Sequence, residues 1–345
     1  MRIESNVWAR LTIKDHCFII AEVGSNHNGD INIAKKMIDV AADAGADAVK
    51  FQFFIADLIA ADTKDTIALV KGGVNLQQFY KNCETPRIWI SELMKYCREK
   101  NITFFATPFD HEAIDLLEQA GVELYKVASF EIVDLPLIKK IAKTQKPVIL
   151  STGMADIEEI QDAITTIYSQ NNDKVVLLHC GINYPAPFDE VNLRAMDTIR
   201  QKFDVPVGYS DHTLGITVPI AAVARGAQVI EKHFTLSRKM VGPDHCFALE
   251  PEEFKRMVIA IRECEHCLGS YEKICTESEK IHYLRGRRSI FSAREIKKGQ
   301  VLTYDDFSIL RPGIGLKPKF LSEIVGKIAK KNVIKNEPIK WDLIR

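Results

Sequence analysis

The chain has 345 residues, 46 of them basic and 46 acidic, so its formal net charge is zero. With 46% hydrophobic and 27% charged residues it holds enough apolar material for a sizeable core, which excludes a disordered chain. The even charge gives no reason to expect a nucleic-acid partner, and no apolar run reaches the roughly 18 residues of a membrane span.

In chain order, residues 1–16 are charged and lack an apolar segment, so no signal peptide is expected. Eight short apolar runs follow: Phe18–Glu22, Ala48–Gln52, Ile102–Ala106, Glu123–Val127, Val148–Ser151, Val175–His179, Val205–Tyr209 and Gln228–His233. Nearly unbroken apolar runs of this length predict strands buried on both faces of a parallel sheet. Between them lie amphipathic stretches that predict helices, among them Ile33–Ala44, Pro86–Lys100, His111–Ala120, Ile157–Ser169 and Ile216–Arg225. Gly45, Gly121 and Gly226 stand where helix C-caps fall. Eight strands alternating with helices predict a (β/α)8 TIM barrel. A doubly wound sheet is the alternative, disfavoured because no G-x-G-x-x-G follows the first strand.

Residues 252–268 predict one more helix, with apolar positions at Phe254, Met257, Val258 and Ile261. The expected domains are a barrel over 1–269, a polar linker over 270–286 and a small, mostly β module over 287–345. In the module, Arg288–Ala293 predicts a strand, Lys297–Gly299 a turn and Leu321–Gly326 a short helix. The module holds 14 Lys and Arg against 6 Asp and Glu, an excess of +8, so the rest of the chain carries −8. That division marks a separate domain or a docking surface, or is a simple surface bias. The eight cysteines sit in a chain too large to need disulfides, which fits a reducing, cytoplasmic setting. Cys264 and Cys267 form a lone C-x-x-C with no second pair, so no zinc or redox role is expected.

Barrels of this kind place their chemistry at the C-terminal ends of the strands, and every predicted strand here ends in polar side chains. They are Glu22 and the Ser25–Asn28 loop, Lys50 and Gln52, Thr107, then Lys126, Ser129 and Glu131. Ser151, His179 with Tyr184, Ser210-Asp211-His212, and Lys232-His233 follow. Lys50 and Lys126 lie inside apolar runs, where two ammonium groups suit a phosphate-bearing anion, or where one serves as a Schiff-base lysine. His212 and His233 end neighbouring strands near Asp211, Glu231 and Asp244, which suits a divalent metal such as Mn²⁺ or Zn²⁺. Asp211–His212 also reads as an acid/base dyad. His27 is structural or touches ligand, and His179 is expected to be a packed strand-end histidine. A Ser-His-Asp hydrolase is disfavoured because no G-x-S-x-G is present, and Gly24–Gly29 is not a P-loop because no Gly-Lys-Ser/Thr follows it.

In order along the chain stand IIAEVGSNHNG (19–29), VKFQ (49–52), YKVASFE (125–131), STGM (151–154), YPAP (184–187), GYSDHTLG (208–215), IEKHFT (230–235) and GPDH (242–245). Together they resemble the sialic acid (nonulosonic acid) synthases. RPGIG (311–315), following IKKG (296–299), resembles that family's C-terminal antifreeze-like (SAF) domain. The resemblance covers nearly the whole chain. It implies condensation of phosphoenolpyruvate with the open-chain aldehyde of an N-acylated amino sugar, with water consumed and phosphate released. The product is a nine-carbon 2-keto sugar acid. The acceptor is N-acetylmannosamine or a diacetamido-trideoxyhexose.

The resemblance also implies roles. His212 and His233 match metal ligands, with Mn²⁺ expected and Mg²⁺ or Co²⁺ as alternatives. Lys50, Lys126, Thr107, Ser129 and Ser151 match phosphoenolpyruvate contacts, with Gln52 and Ser210 in the same substrate-binding cluster. Glu22, Glu131 and Asp244 match catalytic carboxylates, one of which activates water, and Tyr184 matches a substrate-lining tyrosine. Arg311 matches an arginine that one subunit lends to the other in a domain-swapped homodimer. Ile182 stands where the family often has Asn. Phe130 and the 315–320 stretch look like the pseudaminic acid branch, whereas 242–245 looks like the sialic or legionaminic branches, so the acceptor stays open among the three. Two further readings are a lysine-based class I aldolase using pyruvate and, ranked last, a carbohydrate- or ice-binding protein.

Overall fold

Eight parallel strands carry the predicted runs: β1 (Phe18–Gly24), β2 (Ala48–Phe53), β3 (Thr103–Pro108), β4 (Tyr125–Val127), β5 (Val148–Ser151), β6 (Val175–Cys180), β7 (Val207–Asp211) and β8 (Val229–His233). In this computed structural model, which describes residues 6–13, 15–63 and 74–345, they close into a barrel. Residues 1–5 and 14 of the charged N-terminal stretch lie outside the described residues. Closure is visible in the register: Ile20 of β1 pairs with Ala48 of β2 on one side and Glu231 of β8 on the other. A doubly wound sheet leaves both edge strands unpaired, so the closed register excludes it.

Strand side chains alternate between the two faces, and the two cores show it. Ile19, Ala21 and Val23 of β1, with Val49, Phe51 and Phe53 of β2, belong to the core between barrel and helices. Phe18, Ile20, Ala48, Phe105, Leu124, Ile149, Val176, Leu178 and Val229 fill the barrel interior instead. Val7 and Leu11 of the short helix Val7–Thr12 join this inner cluster and plug one end of the barrel. At the same end Arg10 and Arg262 both bind the Asp47 carboxylate, at 3.1 and 2.9 Å. Gly208 of β7 also falls on the inward phase. A Cβ there would come within 2.2 Å of the Val229 carbonyl oxygen, so only glycine lets β7 and β8 pair so closely.

Four helices begin at an aspartate that caps the free N–H groups of the first turn, Asp30, Asp110, Asp134 and Asp156, each cap worth about 1 kcal/mol. Helices Leu135–Lys143 and Ala195–Phe203 complete the alternation where no segment stood out in the sequence. Pro136 sits in the first turn of the former, where its missing N–H costs nothing. The latter ends at Asp204 in a left-handed conformation, without the usual glycine stop.

The chain divides at Gly269/Ser270 into two compact units. The second unit pairs β9 (Ser289–Ser292) antiparallel with β10 (Phe307–Leu310). Single bridges such as Ile296–Val333 and Ala329–Ile344 tie its remaining loops around a small core built on Ile290, Leu302, Ile324 and Ile339. The stretch read as a linker contains a helix, Lys280–Gly286.

Candidate active site

The inward phase of the strands turns polar above the apolar interior. Glu22, Lys50, Gln52, Lys126, Ser151, Cys180, Ser210, Glu231 and His233 line a cavity of 50 Å³ with Ser129, Tyr184 and His212 from the loops. Every strand of the barrel except β3 sends at least one of these side chains into it. β3 contributes at one remove: Thr107, level with Gln52 in the register, is fully buried and its hydroxyl accepts from Lys50 Nζ at 3.2 Å.

Two ammonium groups dominate the floor, and both side chains are about 2% exposed. Lys50 Nζ forms ion pairs with Glu22 Oε2 at 2.9 Å and Glu231 Oε2 at 3.8 Å. Burial works against its charge, but the two carboxylates more than compensate and hold its pKa above the ordinary lysine value. Lys126 is different. It donates to Ser151 Oγ at 2.6 Å and to the Val127 carbonyl at 2.9 Å, neither of them charged, and burial lowers its pKa. Glu22 responds mainly to burial and is raised to about 7 even with Lys50 beside it, while Gln52 Nε2 donates to its other oxygen at 2.7 Å. Burial also acts on Glu231, but Lys50 and Lys126 prevail and keep it ionised below the usual range; Ser210 Oγ donates to it at 3.1 Å.

The two histidines stand side by side at the mouth with ring centroids 5.3 Å apart. Nδ1 of His212 lies 2.6 Å from the Gly181 carbonyl oxygen. A carbonyl only accepts, so Nδ1 carries the proton and Nε2 keeps a free lone pair. Burial holds His212 down to about 4 and pushes His233 well below its ordinary value, helped by the neighbouring positive groups, so both rings are neutral at pH 7. Nδ1 of His233 is buried without a hydrogen-bond partner and lies 3.6 Å from Asp244 Oδ2. Gly24, at φ +54°, leaves room for that carboxylate: a Cβ there would sit 2.9 Å from Asp244 Oδ2. Burial raises Asp244 to about 6. Two neutral imidazoles with lone pairs to offer are donors that a divalent cation accepts. Among the described residues no three His, Cys, Asp or Glu side chains converge on one point. The two rings are thus the residues that would hold such an ion, with no third protein ligand of these types among the described residues.

The structure separates the remaining candidates by strand phase and loop geometry. Lys232 faces away from the cavity and forms a buried ion pair with Asp211, whose carboxylate also accepts from the backbone and hydroxyl of Thr213. Asp211 is thus the counter-ion of Lys232 and forms no dyad with His212. His179 faces outward as well, bonded to the Val191 carbonyl at 2.9 Å and packed on Tyr209. His27 is buried, pushed down to about 4 by burial, and bonds Thr85 Oγ1 at 2.8 Å, so it fixes its loop. The 3-10 turn Ser129–Glu131 puts Ser129 and Phe130 on the cavity wall but not Glu131, whose Oε2 is buried without a partner. Arg311 belongs to the second unit, where it is exposed and its Nε donates to the Gly286 carbonyl at 2.7 Å. Cys264 and Cys267 are free thiols.

Three features escaped the sequence reading. Glu231 was placed beside a metal, yet it lies between Lys50 and Ser210 on the floor; its spacing of two from His233 is the signal that puts it on the same face. Phe247 packs against Tyr184 and His233, each with centroids 5.3 Å away, and so holds the tyrosine over the histidines. A second, outer chamber of 140 Å³ adjoins the first and is walled by Phe54, Phe79, Tyr80, Phe109 and Phe130. Nothing in the sequence signals this wall, because three loops build it.

Residues 37–273 match the NeuB family and residues 287–345 match the SAF domain. The chain is 43% identical to the N,N'-diacetyllegionaminic acid synthase of Campylobacter jejuni, over 93% of this chain and 98% of that one. It is 39% identical to the pseudaminic acid synthase of Helicobacter pylori, over 94% of this chain and 96% of the relative. Among solved structures, the N-acetylneuraminic acid (sialic acid) synthetase of Leptospira borgpetersenii superposes with a TM-score of 0.71 at 37% identity, covering 77% of this chain and 90% of that one.

Proposed function

The chain belongs to the NeuB family, and from that premise we propose that it condenses phosphoenolpyruvate with an N-acylated amino sugar and water, giving a nine-carbon 2-keto sugar acid and phosphate. The observation that carries this reading is Lys126: a buried ammonium whose acceptors are a hydroxyl and a carbonyl, set 2% exposed on a cavity floor. The carboxylate that acts on it, Glu231, is already shared with Lys50, so the two ammonium groups can take a further anion. Phosphoenolpyruvate brings a phosphate and a carboxylate, and Lys50, Lys126, Ser129, Ser151 and Ser210 supply charge-assisted hydrogen bonds to them.

Carbon 3 of phosphoenolpyruvate attacks the aldehyde carbon, forming the new C–C bond while the aldehyde oxygen becomes a hydroxyl. Water adds at carbon 2, and the C–O bond to phosphate breaks to leave the ketone. Glu22, at about 7, and Asp244, at about 6, are poised to move protons near neutral pH. His212 and His233 would hold a divalent cation, Mn²⁺ first with Mg²⁺ or Co²⁺ as alternatives, and such an ion polarises the aldehyde oxygen. Tyr184, its ring tilted against His212 with centroids 4.2 Å apart, covers this point. The enzyme is proposed to work as a homodimer in which Arg311 of one chain serves the barrel of another. A cytoplasmic location is supported by eight free thiols.

The test is phosphate release by the purified protein. Release should require both phosphoenolpyruvate and an amino sugar and should stop on chelation. Release from phosphoenolpyruvate alone, or undiminished release in the presence of chelator, counts against the reading. Borohydride with pyruvate should leave Lys50 and Lys126 unmodified, since a trapped adduct would indicate aldolase chemistry.

A further inference from the structure

We propose that His245 and Asn28 form a positioning pair that sets the Asp244 carboxylate at the barrel mouth. Neither residue lines the two chambers, so the pair acts through Asp244 and not on substrate. This rests on the synthase reading, in which Asp244 moves protons, and extends it to the residues that aim that carboxylate.

Asp244 belongs to residues 234–250, the connection between β8 and the helix Pro251–Leu268. The connection carries no helix or strand, so its carboxylate is only as well placed as the bonds that pin it. Its two ends are tied to each other: the Thr235 N–H donates to the Leu249 carbonyl at 2.9 Å, and the Leu249 N–H to the His233 carbonyl at 3.1 Å. Its tip is held by the loop that follows β1. Asn28 of that loop grips the tip twice, with Nδ2 donating to the Val241 carbonyl at 3.0 Å and Oδ1 lying 3.1 Å from His245 Nε2. The Val241 carbonyl only accepts, which fixes the amide: Oδ1 is the acceptor, and His245 Nε2 carries the proton. His245 Nδ1 is then a lone pair, and it accepts from the Thr235 hydroxyl at 2.7 Å. One buried ring thus joins the start of the connection, its tip and the β1 loop. Gly242 makes room for it, since a Cβ there would sit 2.6 Å from His245 Cδ2. The residue before this ring is Asp244. It meets the same loop, above Gly24, and the Ser25 backbone N–H favours its charged form.

The experiment measures phosphate release by the full-length protein, with phosphoenolpyruvate and a panel of N-acetylmannosamine and diacetamido-trideoxyhexoses. His245→Ala should lower kcat about 10- to 100-fold, as loss of a supporting hydrogen bond does elsewhere. The KM for phosphoenolpyruvate should not change, because the lysine floor is untouched. His245→Gln can still donate to Asn28 and should recover most of the loss. Asn28→Gly suits the φ of +50° at that position and removes the pair from its other side, so it should lower kcat in the same way and serves where His245→Ala does not fold. The deciding comparison is made in an Asp244→Ala background, where either change should cost nothing further, since the carboxylate it positions is gone. A wild-type kcat in His245→Ala or Asn28→Gly, or a full further loss on top of Asp244→Ala, overturns the inference and leaves the synthase reading intact. Absence of phosphate release by the unaltered protein with every sugar of the panel overturns the synthase reading, and this inference with it.

Discussion

Glu131 shows how one carboxyl can be read from its surroundings. Burial lifts it from 4.5 to about 7, against the pull of Lys126, and its Oε2 finds no hydrogen-bond partner. Below pH 4.5 the group is neutral in both folded and unfolded chains and costs nothing. Between 4.5 and 7 the unfolded chain ionises first, so stability falls as pH rises, and above 7 the loss is complete. Glu131→Gln removes that titration. The melting temperature of the variant should therefore gain on the wild type as pH is raised from 5 to 8. A difference that stays constant over this range would show that Glu131 is not held protonated by the fold. Lys232 and Asp211 illustrate the opposite case: both are buried, and each is tolerable because the other is present.

At the scale of elements, alternation along the strands decides what each polar residue does. Lys50, Lys126 and Glu231 share the inward phase with Ile20, Ile149 and Val229, while Lys232 and His179 fall on the other phase and satisfy themselves in the barrel wall. Gly208 is the sharpest constraint on that pattern. Gly208→Ala would force its Cβ to within 2.2 Å of the Val229 carbonyl and 2.7 Å of Leu178. It should cost about 1–3 kcal/mol or more by overpacking, read as a lowered denaturation midpoint. An unchanged midpoint would mean that β7 and β8 can separate without penalty. The eight strands were legible in the sequence because their apolar runs are short and bounded by turns, and all lie within two residues of the prediction at either end. The polar ring was legible because it closes those runs. Period-two phase is equally present in the sequence, and it sorts Glu231 from Lys232. The aromatic outer wall was not legible: Phe54 directly follows β2, Tyr80 lies in the short helix Leu76–Lys81 of the same connection and Phe109 follows β3, and only the closed barrel brings these segments together.

At the scale of the whole molecule, the division of charge coincides with a division of chemistry. The −8 portion of the sequence contains every residue lining the two chambers at the barrel mouth, and the +8 portion contains Arg311. The proposed homodimer makes a prediction that no single-site role for Arg311 can reproduce. Arg311→Ala should leave the barrel folded and lower phosphate release, and His233→Ala should abolish release by removing an imidazole from the mouth. If Arg311 of one chain completes the barrel of another, a mixed dimer of the two variants keeps one intact site, formed by the His233 of one chain and the Arg311 of its neighbour. Mixing equal amounts under conditions that let subunits exchange should then restore about a quarter of wild-type activity, since half of the dimers are mixed and each has one working site of two. A mixture no more active than the sum of its separate components would place Arg311 with its own barrel or outside the reaction altogether.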